Sequence, residues 1–170
     1  MKVTSAQAAK MLRKLEDERA SLIAAEERSS SFRAAVGEDV ESVRPVYDYE
    51  STQKELAEIE AKVRKLKHTI NLFNVNYVIS EFDMTIDQML VFIPQLSRQR
   101  AKLDSMRSVL PKARAELGMR AANVNILDYI YANYDIDKVN EDYNKVSDTL
   151  ARAQTALDTV NNTVTFDIDI

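Results

Sequence analysis

The sequence contains no cysteine and no tryptophan, and it has only two glycines and one histidine. Without cysteine there is no disulfide framework, no thiolate nucleophile and no cysteine-ligated zinc or iron–sulfur site. Gly37 and Gly118 stand alone, so neither a P-loop nor a dinucleotide-binding fingerprint can be built. The longest apolar run, Met89 to Ile93, is far shorter than the roughly 20 residues that cross a bilayer. These absences exclude thiol chemistry, the commonest nucleotide-binding motifs and a membrane-spanning helix.

What remains is the composition of a helical globular protein. Of 170 residues, 45% are hydrophobic and 29% are charged, and the net charge is −4. That length suits a single domain over residues 1–170 that is large enough to bury a core. Residues Met1 to Gln7 contain no apolar stretch of the kind a secretory signal needs, which favours a soluble cytoplasmic protein.

Four segments have helical periodicity, and we predict helices over about residues 5–32, 50–73, 86–110 and 137–160. In the second, six apolar residues from Leu56 to Phe73 are spaced 3, 4, 3, 4 and 3, with charged residues between them. The fourth has a similar apolar seam from Val139 to Val160. Such seams are typical of helices that pack lengthwise on one another, as in coiled coils.

Helix-start signals accompany two of these segments. Thr85 followed three residues later by Gln88 is a capping-box pattern and predicts a helix that begins at Ile86. Ser5 is the predicted cap of the first helix. Residues 37–48, which include Gly37 and Pro45, are predicted to be irregular.

Alternation of apolar and polar residues predicts short strands over about residues 74–80 and 163–169, and a stretch rich in Ile and Tyr predicts another over about 124–131. Each lies at a helix end, so the three could form one small sheet at one end of the bundle. The predicted fold class is therefore mainly α. It has four long helices that form antiparallel hairpins or a bundle with coiled-coil-like seams, plus two or three short β-strands at helix ends.

An acidic cluster at the start of the last helix is a candidate cation site. Its members are Asp135, Asp137, Glu141 and Asp142. Carboxylates one helical turn apart share a face and can chelate Mg²⁺ or Ca²⁺. The alternative, which we favour, is that Asp137 caps the helix while the other acids interact with its positive N-terminal dipole. His68 falls outside the seam of the second helix and is predicted to be exposed, so no catalytic triad is built on it.

Basic residues concentrate in the stretch from Arg98 to Arg120. Residues 94–120 carry seven basic and two acidic side chains, a net charge of +5, whereas residues 123–170 have a net charge of −6. Nucleic-acid phosphates are one potential partner of this stretch, with contacts expected at Arg98, Arg100, Lys102 and Arg107. The stretch lacks interleaved aromatics on which bases could stack; tyrosines cluster later, at residues 129, 131 and 134. We favour pairing of the basic stretch with carboxylates across a helix interface, for Arg100 and Arg107 with residues such as Asp142 or Asp148.

A family resemblance is carried by the stretches INLFN (70–74), DMTIDQML (83–90), YANYD (131–135) and LDTVNNT (157–163). From about Tyr49 to the end, the chain resembles a family of small, helix-rich bacterial proteins of unknown function, sometimes labelled septicolysin-like. That label implies a cytolysin, although the chain has no tryptophan and no long alternating segments that could become membrane hairpins. The resemblance implies no catalytic residues.

The predicted function is a self-associating scaffold or protein-interaction module without catalytic activity. Four long seams in a short chain leave apolar surface that a partner copy would cover, as a dimer or a higher oligomer. No cofactor, membrane or nucleic-acid partner is expected. The alternatives are a nucleic-acid-associated protein that uses Arg98 to Arg120, and a metal-dependent enzyme built on the acidic cluster.

Overall fold

The computed structural model describes residues 1–114 and 129–169, and 69% of them are helical. The fold is mainly α, as predicted. Its helices are α1 (Ser5–Ser29), α2 (Val40–Val43), α3 (Tyr49–Asn76), α4 (Ile86–Arg107) and α5 (Ile136–Thr163). Its strands are β1 (Lys2–Thr4), β2 (Val78–Ile79), β3 (Met84–Thr85), β4 (Lys112–Arg114), β5 (Tyr129–Tyr131) and β6 (Thr165–Asp167).

The chain divides into two compact units. The first consists of Met1–Val78 and Asp158–Ile170, and the second of Ile79–Leu157. Helix α5 therefore contributes to both units. The single domain that the length suggests over 1–170 stays a prediction.

The four long helices lie where their seams predict, with different ends. Helices α1 and α4 end three residues earlier than predicted, and α3 and α5 run three residues further. Helix α3 continues into the alternating segment because the N–H of Tyr77 still donates to the carbonyl of Phe73 at 2.9 Å. After Arg107 of α4, the hydroxyl of Ser108 donates to the carbonyl of Asp104, and Pro111 follows, which cannot continue a helix.

Two capping boxes begin the helices α1 and α4. For α4 the prediction is confirmed: Thr85 Oγ1 accepts from the Gln88 N–H at 3.2 Å, and the Gln88 side chain accepts from the Thr85 N–H at 2.8 Å. For α1 the predicted cap, Ser5, is wrong, because Thr4 and Gln7 form the same reciprocal pair one residue earlier. Three residues after Ser5 stands an alanine, which has no side-chain acceptor to return the bond.

The strands form three separate two-stranded sheets, so the prediction of one small sheet is wrong. Strand β1 pairs antiparallel with β6, β2 pairs with β3, and β4 pairs antiparallel with β5. The predicted strands survive in part as β2, β5 and β6, and residues 124–128 of the second lie outside the described ranges. Each partner strand is only two or three residues long, too short for alternation to reveal it.

The first unit is built on an antiparallel hairpin of α1 and α3. As residue numbers rise along α1 they fall along α3: Lys67 pairs with Glu16 at 2.9 Å, and Arg19 pairs with Glu60 at 3.1 Å. Its core cluster consists of Val3, Ala8, Leu66 and Ile168, which come from β1, α1, α3 and the segment after β6. Leu66 is fully buried and His68 is exposed, as their seam positions predict.

The second unit buries one side of α4 and the first part of the α5 seam. Its buried side chains are Ile79, Ile86, Met89, Leu96, Val139, Leu150, Ala153 and Leu157. The α5 seam continues into the first unit with Val160, which is also buried. The periodicity of α5 therefore predicts its buried face correctly along its length.

Candidate functional site

The acidic cluster serves as a helix cap and a set of ion pairs. The carboxylate of Asp135 accepts from the backbone N–H groups of Asp137 and Lys138 at 2.9 and 3.3 Å, so Asp135 caps α5 and the expectation that Asp137 does so is wrong. The reason is that α5 begins at Ile136, one residue earlier than the apolar pattern predicts. The bonds are those of an N-cap at a positive helix end.

The other two acids of the cluster are occupied by lysines. Lys138 Nζ lies 3.3 Å from Glu141 and 3.2 Å from Asp142, and Lys145 lies 4.0 Å from Asp142. The Asp142 carboxylate, followed by that of Glu141, raises the pKa of the Lys138 ammonium above its ordinary value. Within residues 1–114 and 129–169, no group of three or more acidic or histidine side chains is arranged to hold a metal ion.

The basic residues of α4 separate into two groups. Arg98, Arg100 and Lys102 are exposed, and none of them has an ion pair with any other described residue. Arg107 bonds to Asp104 in its own helix at 2.8 Å, and its guanidinium lies 3.8 Å from the ring centroid of Tyr143 on α5. The prediction that Arg107 pairs with Asp142 or Asp148 is therefore wrong. A carboxylate three residues earlier on the same helix is within easier reach, and the ring adds a cation–π contact.

The β4–β5 hairpin brings tyrosines to the basic stretch. Strand pairing sets Lys112 opposite Tyr131 and Arg114 opposite Tyr129. Lys112 Nζ lies 4.1 Å from the ring centroid of Tyr129 and 5.4 Å from that of Tyr131. Sequence reasoning that looks only along the chain misses this aromatic and basic face. The part of the stretch that contains Arg120 lies outside the described residues.

A hollow of about 500 Å³ lies beside this hairpin, in the second unit. Three of its polar side chains are already engaged. Arg107 is bonded to Asp104, the hydroxyl of Tyr134 donates to the carbonyl of Met106 at 2.8 Å, and Asp135 caps α5. These groups hold the ends of α4 and α5, which is a structural role for each of them.

The loop between α1 and α3, residues 31–48, is held by hydrogen bonds and hereafter called the connecting loop. The Glu26 carboxylate on α1 accepts from the Tyr47 hydroxyl at 2.6 Å and from the Gln53 side chain of α3 at 2.7 Å. Arg44 forms a double hydrogen bond to Glu41 at 2.7 and 2.9 Å. The Tyr47 bond therefore ties the loop to α1, the Gln53 bond ties α1 to α3, and the Arg44 bonds lie within the loop.

Despite this order, the connecting loop presents apolar side chains to solvent. Val36 and Val46 are fully exposed, and Val40 is exposed over 46% of its surface. Val36 precedes Gly37, whose φ of 87° is a backbone conformation that favours glycine. A loop of this length that is internally bonded and projects apolar residues is of the kind that often carries function.

The fold has a known counterpart. It resembles a functionally unknown conserved protein from Corynebacterium diphtheriae. The two chains share 15% identity with a TM-score of 0.61, and the match covers 98% of this chain and 100% of the other. At that identity the likeness shows the fold alone. No protein-family model and no curated protein sequence matches this chain.

None of the described helices is long and apolar enough to cross a membrane. The residues that sequence reasoning missed are those of the connecting loop. The sequence signal that could have found them is the set of four valines at positions 36, 40, 43 and 46, in an otherwise polar segment with Gly37 and Pro45.

We expect the Tyr47 phenol to keep its proton at unusually high pH. The hydrogen bond to the Glu26 carboxylate, and the negative charge of that carboxylate, raise the pKa of Tyr47 from 10.0 to about 12. Between these values the folded protein holds a proton that the unfolded chain has lost, so stability should fall as pH rises from 10 towards 12. Ring-carbon NMR of Tyr47 at pH 11 should show the protonated form. In Glu26→Gln the pKa should move back towards 10, and an unchanged pKa would show that this bond does not form in solution.

Proposed function

We propose that the protein is a self-associating interaction module without catalytic activity. One observation carries the proposal. Among the described residues, sixteen large hydrophobic side chains are exposed, whereas thirteen hydrophobic side chains are buried. The exposed side chains include Leu72 and Val75 on α3, Leu90 and Val91 on α4, and valines of the connecting loop. Leu72 and Val75 lie one turn apart on α3, and Leu90 and Val91 are adjacent on α4, so each pair is apolar surface that association would bury.

The state of the candidate chemical groups supports the absence of catalysis. Three of the four acids proposed for a cation site are engaged, Asp135 as a cap and Glu141 and Asp142 in ion pairs with Lys138 and Lys145. Self-association also agrees with the coiled-coil-like seams, since helices with apolar seams commonly pack against helices of another chain. Membership of the septicolysin-like family and a cytoplasmic location belong to the same proposal and rest on the sequence.

The test is the molar mass in solution. Light scattering coupled to size-exclusion chromatography should give at least twice the chain mass of 19.3 kDa at protein concentrations from about 10 to 100 µM. A mass of one chain at the highest concentration would refute self-association. We expect the molar mass to rise with protein concentration without any added ligand.

Association with nucleic acid is the second candidate function. Two observations favour it: Arg98, Arg100 and Lys102 are exposed without ion pairs to other described residues, and Tyr129 and Tyr131 lie opposite basic side chains. Anisotropy of a labelled single-stranded oligonucleotide across a salt series would test it, since phosphate contacts make affinity fall steeply with salt. We expect little binding at physiological salt, because the net charge of −4 repels a polyanion.

A further inference from the structure

Two exposed surfaces of this chain have opposite charge and matching apolar groups. The first is the connecting loop, with four acidic and two basic residues and therefore a net charge of −2. The second is α4, with four basic and two acidic residues and a net charge of +2. Both surfaces also expose large apolar side chains, Val36 and Val46 on the loop and Leu90 and Val91 on the helix.

Two of the four basic residues of α4 lie in one row with an apolar residue. Val91, Arg98 and Lys102 are spaced seven and four residues apart, which places them in one row along the helix. The positions that α4 buries, Ile86, Met89 and Leu96, fall on the other side of the helical wheel. The row also contains the exposed acid Asp87, which precedes Val91 by four residues, so the row has a net charge of +1; Asp104 lies outside it. Leu90 lies beside the row, one residue before Val91, and we call Asp87, Leu90, Val91, Arg98 and Lys102 the α4 face.

We propose that the connecting loop of one copy docks on the α4 face of a second copy. This inference rests on the proposed self-association and names the two surfaces that form the contact. Val36 and Val46 would cover Leu90 and Val91, and the net negative charge of the loop would oppose the cations Arg98 and Lys102. Charge complementarity both guides the encounter and selects the partner surface.

The same charges argue against a contact of each surface with its own copy. Two connecting loops brought together would oppose −2 against −2, and two α4 faces would oppose +1 against +1. Like charges in contact are destabilising. The contact is therefore between unlike surfaces, so one copy keeps its α4 face free and the other keeps its connecting loop free. Such a heterologous contact continues into chains unless the rotation between copies closes a ring.

The loop suits docking because its conformation is set before contact. Hydrogen bonds between Ala35 and Glu38 flank Val36, and the bonds of Arg44 to Glu41 and of Tyr47 to Glu26 flank Val46. A surface that is already ordered loses little conformational entropy when it binds. Val36 and Val46 are fully exposed in a single copy, so contact with a second copy would remove their apolar surface from water.

Two double variants test the pairing. Val36→Ser with Val46→Ser removes the apolar part of the loop, and Arg98→Glu with Lys102→Glu reverses the charge of the α4 face. Matched controls are Val75→Ser, an exposed valine of α3, and Lys54→Glu with Arg64→Glu, exposed cations of α3. All four positions in the test variants are exposed, so circular dichroism should show unchanged folding.

We expect each test variant alone to have the mass of one chain, and the controls to behave as the wild type. An equimolar mixture of the two test variants should give a two-chain complex, because one intact loop and one intact face remain. A mixture that stays monomeric, or association that survives in either test variant, would overturn the docking proposal while self-association stands. A wild type with the mass of one chain would refute both.

Salt offers a second measurement that needs no variant. Raising ionic strength from 0.05 to 0.5 M shortens the Debye length to well under 10 Å. The dissociation constant of the wild-type assembly should be at least tenfold higher at the higher ionic strength. Association that is unchanged or strengthened by salt would indicate an apolar contact without the charges and would overturn the proposal.

Discussion

Replacing Leu66 with alanine is expected to lower the free energy of unfolding by about 2–5 kcal/mol. Leu66 is fully buried in the core cluster of the first unit, where it meets Val3, Ala8 and Ile168. These neighbours come from both ends of the chain and from α1, so the cavity left by the lost atoms cannot be closed by moving one element. Interiors of this density relax only partly around such a cavity.

Equilibrium unfolding in urea measures the effect, and Arg64→Ala is its matched control. Arg64 lies two residues away on the same helix, is exposed and has no ion pair with another described residue. Its replacement should change stability by less than about 0.5 kcal/mol. Equal losses in the two variants would show that the seam of α3 does not face the core as described.

The seams of α3 and α5 could be predicted because burial repeats with the period of the helix. Every three or four residues an apolar side chain from Leu56 to Phe73 returns to the same side, and charged residues occupy the rest. The same reasoning finds Leu66, the exposed His68 and the Thr85 capping box. These are local properties, which depend on residues a few positions apart.

The sheets could not be predicted because their partners are distant and short. Val3 is buried against β6 at the other end of the chain, yet a three-residue strand has too few positions to establish a period. The segment after Phe73 alternates, but helix α3 continues through its first three residues because its hydrogen bonds extend to Tyr77. Short apolar runs fit both periods, and tertiary context decides between them.

The candidate site escaped prediction for a related reason. Composition shows that residues 94–120 are basic, but it does not show that Arg107 bonds within α4 while Arg98 and Lys102 stay free of described partners. Nor does any pattern predict that the valines of an irregular loop are exposed. Exposure in a loop depends on bonds such as that from Tyr47 to Glu26, which join residues 21 positions apart.

In the second unit, Met89→Ala is expected to cost about 2–5 kcal/mol of unfolding free energy. Met89 is fully buried in the first turns of α4, just after the Thr85 capping box. Its neighbour Leu90 has nearly the same size but is 49% exposed, so Leu90→Ala is a control matched in helix and in volume. Leu90→Ala should lower the free energy of unfolding by less than about 1 kcal/mol, because the half-exposed Leu90 side chain removes less apolar area from water than Met89 does.

Amide hydrogen exchange would show which of the two units loses stability in each variant. Compact units tend to open cooperatively, so Met89→Ala should speed amide exchange in α4 more than in α1. Leu66→Ala should do the reverse, because its core cluster lies in the first unit. If Met89→Ala speeds exchange equally in α1 and α4, the two units unfold as one, and the stability of each buried seam depends on the other.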